Sequence, residues 1–165
     1  MNKPLFSFRI SLMIGLACSF PIPIGSVHAQ QVKDIRDVKA DLTVPELVKD
    51  KPAAGKRVVQ IHPDYDKTDV YHSIYLPTDW KPGKLYPVIF EYAGNGPHRS
   101  QFGDECTGKV DDCSMGYGIS SGKGFIWVCL PYLNANATKN VISWWGDAPV
   151  HAPDSTVEYA KKIVP

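Results

Sequence analysis

The motif that most directly suggests catalytic chemistry is a serine flanked by glycines. Gly118-Ile119-Ser120-Ser121-Gly122 matches the pattern G-x-S-x-G, in which the serine hydroxyl attacks an acyl carbon. This chemistry requires a sharp turn from a strand into a helix, and an adjacent base to activate the hydroxyl. Here the motif follows a Gly-rich loop and precedes the apolar run 125–130, so the required order is reversed. Ser120 is therefore only a weak candidate for a catalytic nucleophile.

The acidic and basic partners that Ser120 would need are also poorly placed. Asp147 and His151 are the residues that follow it in the order acid then histidine, and they lie four positions apart in one loop. Triad members usually come together from distant parts of a chain. The histidines between the first 29 residues and Ser120 break the order, and we interpret them as polar residues of strands or loops: His62, His72 and His98. The sequence predicts no confident catalytic residue.

The segment that must position any site is Leu85 to Pro97. Val88, Ile89 and Phe90 form an apolar run bounded by proline and glycine, which predicts a strand buried on both faces. The run leads directly into Gly94-Asn95-Gly96. Glycines there permit positive φ and the close approach of another molecule. Because ligands bind at the carboxyl ends of strands in open α/β sheets, this turn is a candidate site.

This segment, YPVIFEYAGNGP, resembles the third strand and oxyanion loop of α/β-hydrolases, with secreted bacterial esterases and polyester depolymerases as the nearest types. Ala93 stands where the family's loop usually has histidine. The resemblance extends over 58–165 and covers the front part of such a fold. It implies that backbone N–H groups of Gly94 and Asn95 stabilise an oxyanion, and that the nucleophile elbow would follow Pro165. An ordinary glycine turn remains the alternative.

The fold class that follows is α/β, a partial α/β-hydrolase-like sheet. We expect it to be mostly parallel, with antiparallel opening strands, and to stop before the nucleophile elbow. Val58 to Ile61 and Val70 to Leu76 are the predicted opening strands; in the second, Val70, His72, Ile74 and Leu76 share one face.

Three further elements are predicted from the apolar pattern. The run 125–130 should form a strand parallel to 88–92, with at most a short helix near 115–121 in the crossover. A short helix is expected to open with Thr43 near its N-cap and Pro45 in its first turn. A final helix is expected over 155–164, with an apolar stripe of Val157, Ala160, Ile163 and Val164.

The first 29 residues have the features of a signal peptide. Lys3 and Arg9 precede an apolar stretch, 10–20, and a small-residue cleavage site ends at Ala29. We therefore expect a secreted or periplasmic protein that begins at Gln30, with no stable membrane span after cleavage. An uncleaved anchor, and a lipoprotein modified at Cys18, are the alternatives. The prediction assigns 30–55 to a leader and 56–165 to the hydrolase-like domain.

Composition excludes some partners. The chain of 165 residues is 44% hydrophobic and carries a net charge of +1, which gives no reason to expect nucleic acid as a partner. The acidic pairs Asp104-Glu105 and Asp111-Asp112 do not form a regular calcium-binding loop. No cofactor and no metal are predicted, and a four-ligand zinc site in particular is not expected because no CxxC pair is present.

Three cysteines follow the predicted cleavage site. Cys106 and Cys113 are close together in a polar loop, and we predict a disulfide between them because exported proteins meet an oxidising environment. Cys129 lies in an apolar run and is interpreted as a small buried hydrophobe. A reactive Cys129 would need a nearby cation or helix terminus.

Three functions remain open. The first is the N-terminal portion of a secreted α/β-hydrolase-like carboxylic-ester hydrolase or depolymerase, inactive as this chain. The second is an exported, non-catalytic module that binds a polymer or glycan. The third is a small complete serine hydrolase that uses Ser120. The residues expected to contact an ester or polymer substrate are Tyr92, His98, Trp144 and Trp145, and a structural lid over the core is the alternative for the two tryptophans.

Overall fold

The computed structural model describes residues 33–34, 37–143 and 152–164. The strands are β1 Leu47–Val48, β2 Arg57–Gln60, β3 His72–Tyr75, β4 Val88–Tyr92, β5 His98–Arg99, β6 Glu105–Cys106, β7 Ile126–Leu130, β8 Tyr132–Leu133 and β9 Asn140–Val141. The α-helices are α1 Met115–Ser120 and α2 Ala152–Ile163, and short 3-10 helices span Pro63–Tyr65 and Val110–Asp112. The predicted signal peptide, Trp144, Trp145, Asp147 and His151 lie outside the described residues.

Five strands form a mixed sheet in the order β1-β2-β3-β7-β4. Strand β3 is antiparallel to both of its neighbours, β2 and β7, whereas β1 pairs parallel with β2 and β4 pairs parallel with β7. Four strands therefore run in one direction and β3 alone runs in the other. The predicted parallel pairing of 88–92 with the strand near 125–130 is confirmed, as is the short helix in their crossover.

The strands separate two hydrophobic clusters, one on each face of the sheet. Tyr75, Trp127 and Cys129 belong to the first, together with Ala93, Val110 and Cys113 from outside the strands. The second cluster contains Val70, Val128, Leu130, Leu133 and Tyr159. The alternation predicted for 70–76 is confirmed, because Val70 and Ile74 pack in one cluster and Tyr71 and Tyr75 in the other.

The prediction that β4 is buried on both faces is wrong. Val88 is 42% exposed, and Ile89 and Phe90 are only partly buried. The reason is the strand order: β7 lies between β3 and β4, so β4 is the last strand of the described sheet. The central position belongs to β7, where Trp127, Cys129 and Leu130 are almost fully buried. Burial of an apolar run depends on its neighbours as well as on its own composition.

The predicted leader contributes to the sheet. Residues 42–46 do not form the expected helix, and Leu47–Val48 instead pairs with Arg57–Val58. Val44 packs against the first cluster. Strand pairing supplies this short segment with backbone partners that one isolated helical turn would lack.

Helix α2 covers the second cluster. It begins at Ala152, earlier than the expected Ser155, and its inward stripe differs from the predicted one. Thr156 and Tyr159 are buried, Ala160 and Ile163 pack on the cluster, and Val157 and Val164 are exposed. Thr156 Oγ1 accepts a 2.9 Å hydrogen bond from the Leu133 N–H, which ties the helix to β8.

Among the described residues, no helix has the length and apolar character needed to cross a membrane.

Candidate functional site

The turn that follows β4 lies at the carboxyl ends of β4 and β7. The Ala93 N–H donates to the Leu130 carbonyl at 3.2 Å, and the Gly96 N–H donates to the Ile142 carbonyl at 2.7 Å. These bonds hold both ends of the turn, while Gly94 and Asn95 between them are exposed. The structure therefore places the predicted oxyanion residues at the sheet edge where α/β folds bind ligands.

The two glycines of this turn are required by close packing and not by the positive φ that the sequence suggested. Neither Gly94 nor Gly96 has positive φ. A Cβ atom on Gly94 would lie 2.5 Å from Cys106 Sγ, and one on Gly96 would lie 2.2 Å from the Thr107 carbonyl carbon. The glycines thus allow the segment around 105–108 to approach the turn closely.

That approaching segment belongs to a two-stranded ribbon. Strands β5 and β6 pair His98 with Cys106 and Arg99 with Glu105. An exposed ion pair joins Arg99 to Glu105 at 2.5 Å. His98 is exposed on the ribbon and is the pairing partner of Cys106, whose thiol lies beside Gly94.

The predicted disulfide between Cys106 and Cys113 is not formed. Cys106, Cys113 and Cys129 are all free thiols. Cys106 is held on the ribbon against Gly94, whereas Cys113 follows the 3-10 helix Val110–Asp112 and packs in the first hydrophobic cluster with Cys129. The interpretation of Cys129 as a buried residue is confirmed, since its exposure is 0%.

The carboxylate of Glu91 lies next to the buried thiols of Cys113 and Cys129. Glu91 Oε, Cys113 Sγ and Cys129 Sγ lie within 4.8 Å of one another, and all three residues are buried. The Glu91 carboxylate accepts hydrogen bonds from the Gly116 N–H at 2.8 Å and the Met115 N–H at 3.3 Å, at the start of α1. A hydrogen bond with Cys113, followed by burial, raises the pKa of the Cys129 thiol well above its usual range.

Arg57 supplies a buried positive charge to the same face of the sheet. Its guanidinium donates to the Val110 carbonyl at 2.6 Å and to the Asp111 carbonyl at 2.8 Å. The guanidinium also stacks over Trp127, 4.6 Å from the ring centroid. Burial lowers the pKa of Arg57, and its neighbours Cys129, Cys113, Asp111 and Glu91 act in the opposite direction.

A cavity of about 180 Å³ lies between Glu91 and the turn that follows β4. Gly94, Cys106 and Cys113 all line it. The charged residues of its wall are three carboxylates and one ammonium group: Glu91, Glu105, Asp112 and Lys109. The cavity therefore has an acidic, thiol-containing wall, which favours cations over anions.

Ser120 does not have the geometry of a nucleophile. It is the last residue of α1, and its Oγ donates to the Tyr117 carbonyl at 3.4 Å and accepts from the Gly122 N–H at 3.2 Å. The hydroxyl is thus used in the turn that leaves the helix. Among the described residues, no histidine or carboxylate forms a hydrogen bond with Ser120, so the base that the mechanism requires is not in contact.

Tyr92 lies at the end of β4 and is 40% exposed. Its ring stacks on that of Tyr132, with centroids 5.7 Å apart and planes inclined by 16°. The pair lies at the same edge of the sheet as Gly94. Trp144 and Trp145, predicted to contact substrate with Tyr92, are outside the described residues.

Sequence reasoning missed Glu91 and Arg57. A charged residue inside an apolar strand, as in Val-Ile-Phe-Glu-Tyr, was the available signal, because buried charges require partners.

Comparison of the chain with family models, with curated proteins and with solved structures found no match. The site must therefore be interpreted from its own chemistry.

Proposed function

We propose that this chain is the N-terminal portion of a secreted α/β-hydrolase-like carboxylic-ester hydrolase or depolymerase. Its part in the reaction is to supply backbone N–H donors, at Gly94 and Asn95, to the oxyanion. The observation that carries the proposal is the position of this turn at the carboxyl ends of two parallel strands, β4 and β7.

The strand order supports the proposal. The strand 72–75 alone is reversed, and β7 lies between it and β4, although β4 precedes β7 in the chain. A mostly parallel sheet with an antiparallel opening strand is what the resemblance to α/β-hydrolases implies. Because a fold can serve many chemistries, the function depends on the turn itself.

The charges around the turn restrict how it can act. Gly94 lines the acidic cavity, and the carboxylates of Glu91, Glu105 and Asp112 would repel an anion there. The oxyanion must therefore be bound on the exposed side of Gly94 and Asn95, away from the cavity. Donors that are held rigidly stabilise developing charge best, and the hydrogen bonds of Ala93 and Gly96 anchor both ends of the turn.

The experiment that tests this role measures binding of an alkyl phosphonate monoanion, a tetrahedral analogue of the oxyanion intermediate. Asn95→Pro removes one N–H donor, whereas the matched control Asn95→Ala keeps it. We expect Asn95→Pro to weaken binding by about tenfold or more, because a lost oxyanion donor costs roughly 2–4 kcal/mol in an enzyme. Equal affinities in Pro and Ala variants that are both folded would contradict the proposal.

The described residues do not activate Ser120, so we expect this chain to give no ester turnover through that residue. A short-chain activated ester assayed with the parent and with Ser120→Ala should give the same background rate. Turnover by the parent that disappears in Ser120→Ala would favour the third reading, a complete serine hydrolase.

A second candidate function is binding of a polymer or glycan, and the stacked Tyr92–Tyr132 pair favours it. Exposed aromatic faces can pack against the apolar faces of sugars or of aromatic polyesters. Tyr92→Ala should then abolish retention on an insoluble polymer, while Tyr86→Ala, two residues before β4, should not. Retention unchanged in both variants would exclude this surface as the binding site.

A further inference from the structure

Three buried ligand groups converge from separate parts of the chain. Glu91 lies on β4, Cys129 lies on the neighbouring β7, and Cys113 lies in the connection between them. Glu91 and Cys129 are paired in the register of the two strands, which brings their side chains to the same face. One carboxylate oxygen and two sulfur atoms thereby come within 4.8 Å of one another.

This donor set has the chemistry of a zinc site. Zinc binds thiolate sulfur at about 2.3 Å and carboxylate oxygen at about 2.0–2.2 Å, usually with tetrahedral geometry. Two thiolates on one tetrahedral zinc ion are therefore about 3.8 Å apart. The limit of 4.8 Å on the separations of the Cys113, Cys129 and Glu91 ligand atoms is compatible with this geometry.

We propose that Glu91, Cys113 and Cys129 form a binding site for Zn²⁺, with the fourth position open to the adjoining cavity. The inference is independent of the ester-hydrolase proposal, because it uses none of the oxyanion donors.

The carboxylate is already oriented for this role. The Met115 N–H binds one oxygen of Glu91 and the Gly116 N–H binds the other. Each carboxylate oxygen retains capacity for a second partner. Carboxylates that bind metals are commonly held in this way by groups around the site, which fixes their direction.

The buried charges also balance when the ion binds. In the absence of a cation, two neutral thiols lie near one carboxylate and the guanidinium of Arg57, and the sum is zero. Binding of Zn²⁺ releases the two thiol protons to solvent and forms two Zn–S bonds. Two thiolates, one carboxylate, one divalent cation and one guanidinium again sum to zero, so no uncompensated buried charge is created.

A route for the ion is present. Glu91 and Cys113 line the cavity of about 180 Å³, and Glu105 and Asp112 add carboxylates to its wall. This acidic lining attracts divalent cations. The cavity also has room for a water molecule as the fourth ligand.

The test begins with the reduced chain and Co²⁺, a spectroscopic substitute for zinc. A tetrahedral site with two thiolates should give intense visible d–d bands and a sulfur-to-cobalt charge-transfer band, saturating at one equivalent and abolished by added Zn²⁺. Failure of the folded parent to bind one equivalent of either ion overturns the proposal.

Three variants locate the site. Cys113→Ser, Cys129→Ser and Glu91→Gln should each weaken Zn²⁺ binding by roughly tenfold or more, and each serine variant should lose about half of the charge-transfer intensity. Cys106→Ser is the matched control, because Cys106 lines the same cavity but lies outside the three-ligand group. Retained affinity in Cys113→Ser, or loss of affinity in Cys106→Ser, contradicts the assignment.

Folding of each variant is checked by circular dichroism. Cys129 is fully buried, and if Cys129→Ser does not fold, Cys113→Ser and Glu91→Gln decide the outcome. The parent alone provides a further measurement: bound Zn²⁺ should raise its melting temperature in proportion to ln[Zn²⁺], and Cys113→Ser should not respond. An equal rise in both proteins would indicate binding elsewhere on the chain.

Discussion

The stability of this fold should depend on pH through one buried histidine. His72 on β3 is 8% exposed, and its Nδ1 lies 2.8 Å from Tyr159 Oη on α2. Burial, followed by the charge of His62, lowers the pKa of His72 from 6.5 to about 4. The folded protein is therefore more stable with His72 in its neutral form.

The direction of the effect follows from the lowered pKa. Between pH 4 and pH 6.5 the unfolded chain binds a proton at His72 that the folded chain does not bind. The contribution of His72 to stability is therefore fully present above pH 6.5 and is lost as the pH falls toward 4. At about 1.4 kcal/mol per pKa unit, the full loss is about 3 kcal/mol, and about 2 kcal/mol is already lost at pH 5.

Urea denaturation at pH 7.5 and pH 5 measures this loss. His72→Gln removes the titrating group but keeps a polar side chain facing Tyr159. The parent should lose about 2 kcal/mol more than His72→Gln between the two pH values. His98→Gln, a change at an exposed histidine, should behave as the parent does. An equal pH dependence in the parent and His72→Gln would refute the reasoning.

Three further predictions concern glycines and the N-terminus. Gly94→Ala should lower the unfolding free energy by about 1–3 kcal/mol, because its Cβ would lie 2.5 Å from Cys106 Sγ, and adding Cys106→Ala should recover most of it in urea titrations. Gly116→Ala would place its Cβ 2.2 Å from Trp127 and should reduce the melting temperature, whereas Gly118→Ala on the same helix meets nothing within 4 Å and should not. The exported protein should begin at Gln30, and N-terminal sequencing that finds Met1 would contradict this.

Local patterns in the sequence predicted much of the sheet. The apolar runs at 88–92 and 125–130 are strands, they pair in parallel, and the connection between them contains only a short helix. The two strands and the short helix follow from composition and from the pattern of apolar residues, which are local properties, whereas their parallel pairing is a property of the whole sheet. The relative burial of the two strands was not predictable in this way. Whether β4 or β7 is central depends on strand order, which is set by contacts between distant residues.

The candidate site was predicted less completely. Gly94 and Asn95 were placed correctly at a strand end because a glycine turn after an apolar run is a local signal. The pairing of cysteines was wrong because it used sequence spacing. Cys113 and Cys129 are 16 positions apart but share one face of the sheet, whereas Cys106 is held on the β5–β6 ribbon. Only the register of β4 and β7 brings Glu91 to the thiols.

The most direct test of the proposed function is to locate anion binding on the backbone. Amide ¹H–¹⁵N spectra of the chain, recorded during titration with an alkyl phosphonate monoanion, report on each N–H separately. We predict saturable downfield shifts centred on Gly94 and Asn95, with little change at Ser120 or at the acidic residues Glu105 and Asp112 of the cavity wall. Shifts centred elsewhere, or no saturable shift at these two amides, would contradict an oxyanion role for this turn.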